Sequence, residues 1–204
     1  AIKEAKYAGT YRGVYPVKVN QQQQVVEEVA DFGRRFHHGF EAGSKAELIA
    51  AMSYIDDPEA LVVCNGYKDR EYIDQALYGR QLGIQTVLVV EMPGELGLIV
   101  ERAEALGIRP VLGIRVRLSS RAGGHWNESG GDRSVFGLTT SQIIGAVDEL
   151  RAKEMLDCLE LLHYHLGSQI PNIRDIRDGV SEAARFYAGL VREGAPMGFL
   201  DIGG

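Results

Sequence analysis

The sequence predicts an α/β fold built on a parallel sheet, and two observations carry that prediction. Short apolar, β-branched runs alternate with helical stretches along all 204 residues, the pattern of βαβ units. Those runs are apolar on both faces, as in strands covered by helices on each side. Two architectures fit, an open doubly wound sheet or a (β/α)8 barrel. No G-x-G-x-x-G follows the first strand, which weakens a dinucleotide-binding sheet. Seven strand signals leave a barrel short of its eighth. A stop at Gly203-Gly204, straight after a buried strand, is expected of a piece of a longer protein, with no boundary inside 1–204.

The first strand is expected over Val14–Asn20, with Asn20 capping a helix through Gln21–Ala30. A second strand follows near His38–Ala42. Ser44 then reads as an N-cap with Glu47 as its capping-box partner, opening a helix over Lys45–Met52. Ala60–Gly66 is a buried strand. A helix over Asp69–Leu82 ends at Gly83, a natural C′ residue. Gln85–Glu91 is the fourth strand, Glu95–Leu106 a helix stopped by Gly107, and Val111–Leu118 the fifth strand. Ser119–Ser134 is rich in Gly, Ser and Arg and holds the only tryptophan, Trp126; a loop that long in a compact domain is usually functional or mobile. A helix over Ser141–Lys153, a strand over Leu156–Leu166, a helix over Ile173–Arg192 and a strand over Gly198–Ile202 complete the chain.

Composition narrows the class. Hydrophobic content of 45% and charged content of 25% are those of a globular chain. A net charge of −6 and a pI near 5.4 disfavour nucleic acid as a partner. No run approaches a membrane span, and the N-terminus is not a signal peptide. Cys64 and Cys158 each sit in an apolar run and read as buried free thiols of a reducing, cytoplasmic compartment; a disulfide is the lesser reading, and zinc lacks any short Cys/His spacing.

Lys18 is the first candidate for chemistry. On a strand it shares a face with Pro16 and Asn20, and a lysine on a core strand needs a reason. It either snorkels from an exposed strand end or traps a carbonyl as a Schiff base. His163 and His165 share a face at the end of the sixth strand, as packing residues or as catalytic ones; a metal between them would lack a nearby carboxylate. Gly167-Ser168 offers a tight turn and a hydroxyl. Arg115 and Arg117 share a face of the fifth strand and need anionic partners if they point inward, a role Glu41 offers. Gly203-Gly204 suits a phosphate bound by backbone N–H groups. Together these groups suit a phosphorylated carbonyl cofactor.

In this order the motifs resemble a known family. Barrel decarboxylases that use pyridoxal phosphate, of alanine-racemase-like fold, carry a first-strand lysine, a sixth-strand His-x-Gly-Ser turn and a seventh-strand glycine-rich turn. This chain has Lys18, His165-Leu166-Gly167-Ser168 and Asp201-Ile202-Gly203-Gly204. Tyr15–Gln21, Glu41–Lys45, Cys64–Asp69, Leu162–Gln169 and the stretch from Trp126 to Leu138 closely resemble the biosynthetic arginine decarboxylases among them.

The resemblance implies an incomplete (β/α)8 TIM-type barrel of about seven strands, lacking a C-terminal β-domain. It implies decarboxylation of L-arginine to agmatine and CO2 in polyamine biosynthesis. Lys18 would hold the cofactor as a Schiff base, His165 would stack on its ring, and Ser168, Gly203 and Gly204 would bind its phosphate. Arg115 would lie near the ring, and Glu41 matches the second-strand acid. Magnesium and a homo-oligomer are also implied, with no metal ligands assignable. Val135 stands where the family typically has lysine. The acid that pairs with the pyridinium nitrogen falls beyond Gly204, so this chain alone is not expected to be a competent enzyme. The alternatives are a decarboxylase of diaminopimelate or ornithine, a non-catalytic pyridoxal-phosphate carrier and, last, a cofactor-free Schiff-base aldolase.

Overall fold

A computed structural model describes residue 4, residues 6–119 and residues 136–203. The chain divides into two compact units, Ala1–Thr86 and Val87–Gly204.

The first unit holds three parallel strands, β1 (Val14–Pro16), β2 (Gly39–Ala42) and β3 (Leu61–Cys64), with β2 in the middle. Every residue of β2 and β3 is buried, as the doubly apolar runs require. Gly39 is glycine for want of space: a Cβ there would sit 1.9 Å from the Leu61 carbonyl oxygen. Three helices alternate with the strands, α1 (Gln23–Gly33), α2 (Lys45–Tyr54) and α3 (Arg70–Gln81). The fully buried Tyr72 of α3 donates its hydroxyl to the carbonyls of Ala42 and Asn65, tying the helix to the ends of β2 and β3.

Three expectations for this unit are corrected. The first strand ends at Pro16, and Val17–Val19 form a 3-10 turn that carries Lys18. Pro16 cannot donate to a ladder and holds φ at −74°, so the β-branched run leaves the sheet there. Asn20 accepts from the Gln22 N–H before α1 instead of capping it. Ser44 caps α2 by accepting from Glu47 N–H, but the Glu47 carboxylate takes the N–H of Gly43, so the box is displaced by one residue.

The second unit carries β4 (Gln85–Val90, its first two residues in the first unit), β5 (Val111–Arg115), β6 (Leu159–His165) and β7 (Phe199–Gly203). They are parallel and neighbours in chain order. Helices α4 (Glu95–Leu106), α5 (Thr140–Ala152) and α6 (Ile173–Arg192) lie between them in sequence. Thr139 and Gln142 form a full capping box on α5, and Gly107 ends α4 at φ +66°. The β5–β6 ladder slips by one residue between Leu112 and Gly113, so that Arg115 stands level with His163.

The fifth strand is shorter than expected. Beyond Arg115 the chain pairs with residues 137–138 through a Val116–Leu138 bridge, which takes Arg117 off the strand. The sixth strand also starts later, after a 3-10 turn over Leu156–Cys158. Cys64 and Cys158 are buried and form no disulfide, as expected. No helix among the described residues is long and apolar enough to cross a membrane.

Candidate active site

In the first unit the candidate groups gather where β1 and β2 end. Lys18 projects from the 3-10 turn with its side chain 61% exposed, so it is an amine at an open strand end and not a core lysine. Its Nζ lies 3.5 Å from either carboxylate oxygen of Glu41, which is largely buried on β2. Glu41 also accepts from Asn65 Nδ2 at 3.3 Å. The Glu41 carboxylate thus faces the lysine and an amide, and the expectation that it neutralises Arg115 or Arg117 is replaced by different partners.

In the second unit the ends of β4 to β7 bring together Glu91, Arg115, His163, Asp201, His165 and Gly203. Glu91 is the partner the sequence reading missed. Its carboxylate accepts from Arg115 Nη1 at 2.5 Å, and the guanidinium carbon lies 5.6 Å from the centre of the Phe136 ring. The buried Glu95 carboxylate accepts from the Glu91 and Met92 N–H groups and fixes that turn. The signal was available: Glu91 is the first charged residue after an apolar strand, one strand over from Arg115. Arg117 donates to the Gly137 carbonyl instead.

The register sets the rest. Arg115 is level with His163, His163 with Asp201, and His165 with Gly203. His163 Nδ1 lies 2.8 Å from Asp201 Oδ2, too far out of line for a hydrogen bond. Tyr164, between the two histidines, points the other way and is fully buried; burial, helped by the Asp201 charge, pushes its phenol up to about 12. Gly203 has no room for a side chain, since a Cβ would lie 2.8 Å from His165 Nδ1 and 3.0 Å from His163 Cε1. Its backbone is therefore bare beside the His165 ring. Leu166 N–H donates to the Gly203 carbonyl, joining the two strand ends. Gly167 turns at φ +133° and leaves Ser168 exposed just past β6. Gly204, Trp126, Val135 and the loop after Ser119 lie outside the described residues.

The family described as "Pyridoxal-dependent decarboxylase, pyridoxal binding domain" matches residues 2–204. The chain is 51% identical over 204 residues to a biosynthetic arginine decarboxylase of Parasynechococcus marenigrum and 56% identical to one of Alkalilimnicola ehrlichii. All of this chain is covered in both, but it spans only 32% of either relative's length. The solved biosynthetic arginine decarboxylase of Campylobacter jejuni superposes with a TM-score of 0.87 at 35% identity, over 98% of this chain and 32% of that one. That likeness gives the fold as an incomplete α/β TIM-type barrel. Lysine strand end, histidine edge and glycine turn occur here in a chain that belongs to the pyridoxal-dependent decarboxylases, of which it matches the pyridoxal-binding domain.

Proposed function

We propose that residues 1–204 form one pyridoxal-phosphate-binding domain of a full-length arginine decarboxylase that converts L-arginine to agmatine and CO2. The observation that carries the reading is Lys18, an accessible amine held beside a buried carboxylate at a strand end, in a chain of this family. The arginine preference is supported by relatives at 51% and 56% identity named for that activity.

Within the second unit the ends of β6 and β7 offer groups suited to a phosphate. Gly203 exposes backbone where no Cβ fits, and Ser168 stands exposed at the end of the adjacent strand. These two, with Gly204, would hold the phosphate through N–H and hydroxyl donors. His165 would offer its ring face to the cofactor ring, and Lys18 Nζ would hold its carbonyl carbon. When bound, pyridoxal phosphate supplies an acceptor for the electron pair released as the α-carboxylate leaves as CO2. The chain's own residues arrange this. Glu41, 3.5 Å from Lys18 Nζ, orients the amine at the strand end. Glu91 fixes Arg115 at the end of β5, its carboxylate answering the guanidinium charge.

Among the described residues no group of three or more His, Cys, Asp or Glu could hold a metal ion, so magnesium is given no ligand and no step. We infer a homo-oligomer for the full-length protein, on family likeness, and a cytoplasmic setting, which two buried free thiols support.

The test uses the full-length protein. Borohydride reduction followed by peptide mass mapping should fix pyridoxyl on Lys18, and labelled arginine should give labelled agmatine. Lys18→Ala should abolish both. A pyridoxyl group on another lysine, or unchanged turnover in Lys18→Ala, would overturn the proposal.

A further inference from the structure

The proposed function leaves His163 and Asp201 without a task. Both are largely buried, with side chains 7% and 16% exposed, and His163 Nδ1 lies 2.8 Å from Asp201 Oδ2. A buried carboxylate is costly unless something of opposite charge or a donor faces it. Arg115 stands level with His163, but its guanidinium is turned to Glu91. Among the described residues His163 Nδ1 is the one basic atom within 4.0 Å of the Asp201 carboxylate, and it makes no hydrogen bond.

The pair also touches the site. His163 and His165 lie on one face of β6, and β7 sets Asp201 and Gly203 beside them. The same hypothetical Cβ on Gly203 that meets His165 meets His163 Cε1 at 3.0 Å. The two rings thus form the floor against which the Gly203 backbone rests. We propose that His163, packed against Asp201, is a positioning residue that sets the Gly203 backbone and the His165 ring for the cofactor. The inference rests on the reading of Gly203 as part of the phosphate turn. Asp201 fixes where the His163 ring lies, and the ring fixes how deep Gly203 can settle. Loss of either partner frees the same floor, so their effects overlap.

The experiment uses full-length protein loaded with pyridoxal phosphate, with Asp201→Asn read first because it keeps shape and removes charge. His163→Gln and the double variant follow. The readouts are the pyridoxal phosphate Kd by absorbance titration, the 31P resonance of the bound phosphate, and thermal unfolding as a check on folding. Each single variant should weaken binding about tenfold and shift the 31P resonance, with borohydride still fixing pyridoxyl on Lys18. The double variant should be no worse than either single one. Folded variants with Kd within about twofold of the parent and an unmoved 31P resonance would overturn the inference, as would additive losses. Failure of both single variants to fold would assign the pair to stability alone. If the parent protein takes no pyridoxyl on Lys18, the proposed function falls, and this inference with it.

Discussion

Arg115 Nη1 lies 2.5 Å from Oε1 of Glu91, a carboxylate whose side chain is only 1% exposed. A pair this deep has given up its hydration, so removing the arginine takes the counter-charge from a buried carboxylate. Arg115→Ala should therefore cost about 3 kcal/mol in equilibrium urea unfolding. The exposed Arg12–Glu59 pair is the contrast; Arg12→Ala should cost at most about 1 kcal/mol. Equal losses from the two would refute the role given to Glu91.

Two glycines make opposite predictions. A Cβ on Gly39 would strike the Leu61 backbone, which no side chain can relieve, so Gly39→Ala should cost about 3 kcal/mol. Gly145, inside α5, has nothing within 4 Å of the added carbon, and Gly145→Ala should stabilise by about 0.5–1 kcal/mol. Urea midpoints moving in the same direction would contradict the packing described.

Tyr164 buries its hydroxyl with no hydrogen-bond partner among the described residues. Tyr164→Phe keeps the ring and removes that group, so stability should rise by about 1 kcal/mol near neutral pH. The folded phenol lies at about 12, above its ordinary 10.0. Ionisation of this phenol leaves stability unchanged below 10.0 and lowers it as pH climbs from there through about 12, a fall that Tyr164→Phe should lack. Matching alkaline unfolding curves would count against it.

The N-terminus of α3 has its own pH dependence. The Lys45 ammonium, then the Tyr72 N–H, holds the Asp69 carboxyl below its ordinary 3.8. A lowered carboxylate favours the fold above that ordinary value, and the benefit fades as pH falls through the lowered one. Lys45→Ala should raise the Asp69 titration midpoint, followed by carboxyl 13C NMR. An unmoved midpoint would leave the ammonium without the assigned effect.

How far the sequence could be read depended on the kind of signal. Helices α4 and α6 run over the expected residues because local chemistry marks their ends: Gly107 at a left-handed φ, and Asn172 accepting from the Arg174 N–H. Lys18 was found, but its setting was misjudged, because Val17 and Val19 look like strand while Pro16 has already ended the ladder. Val17 is still buried, so hydrophobic pattern alone could not separate the two cases. Glu91 and Asp201 were visible as residues but not as partners, since each answers to a group on a neighbouring strand, far away in sequence. Pairing across strands depends on register, which periodicity does not report.

The one-residue slip at Leu112/Gly113 acts as a phase setter for the whole edge. With the ladder continued in step from the Leu112–Leu159 pair, Leu162 would stand level with Arg115. Side chains alternate, so Leu162 and Tyr164 would then share the arginine's side and both histidines would turn to the opposite one. A single irregular step, placed well below the chemistry and among aliphatic residues, decides whether imidazole or hydrocarbon is displayed there.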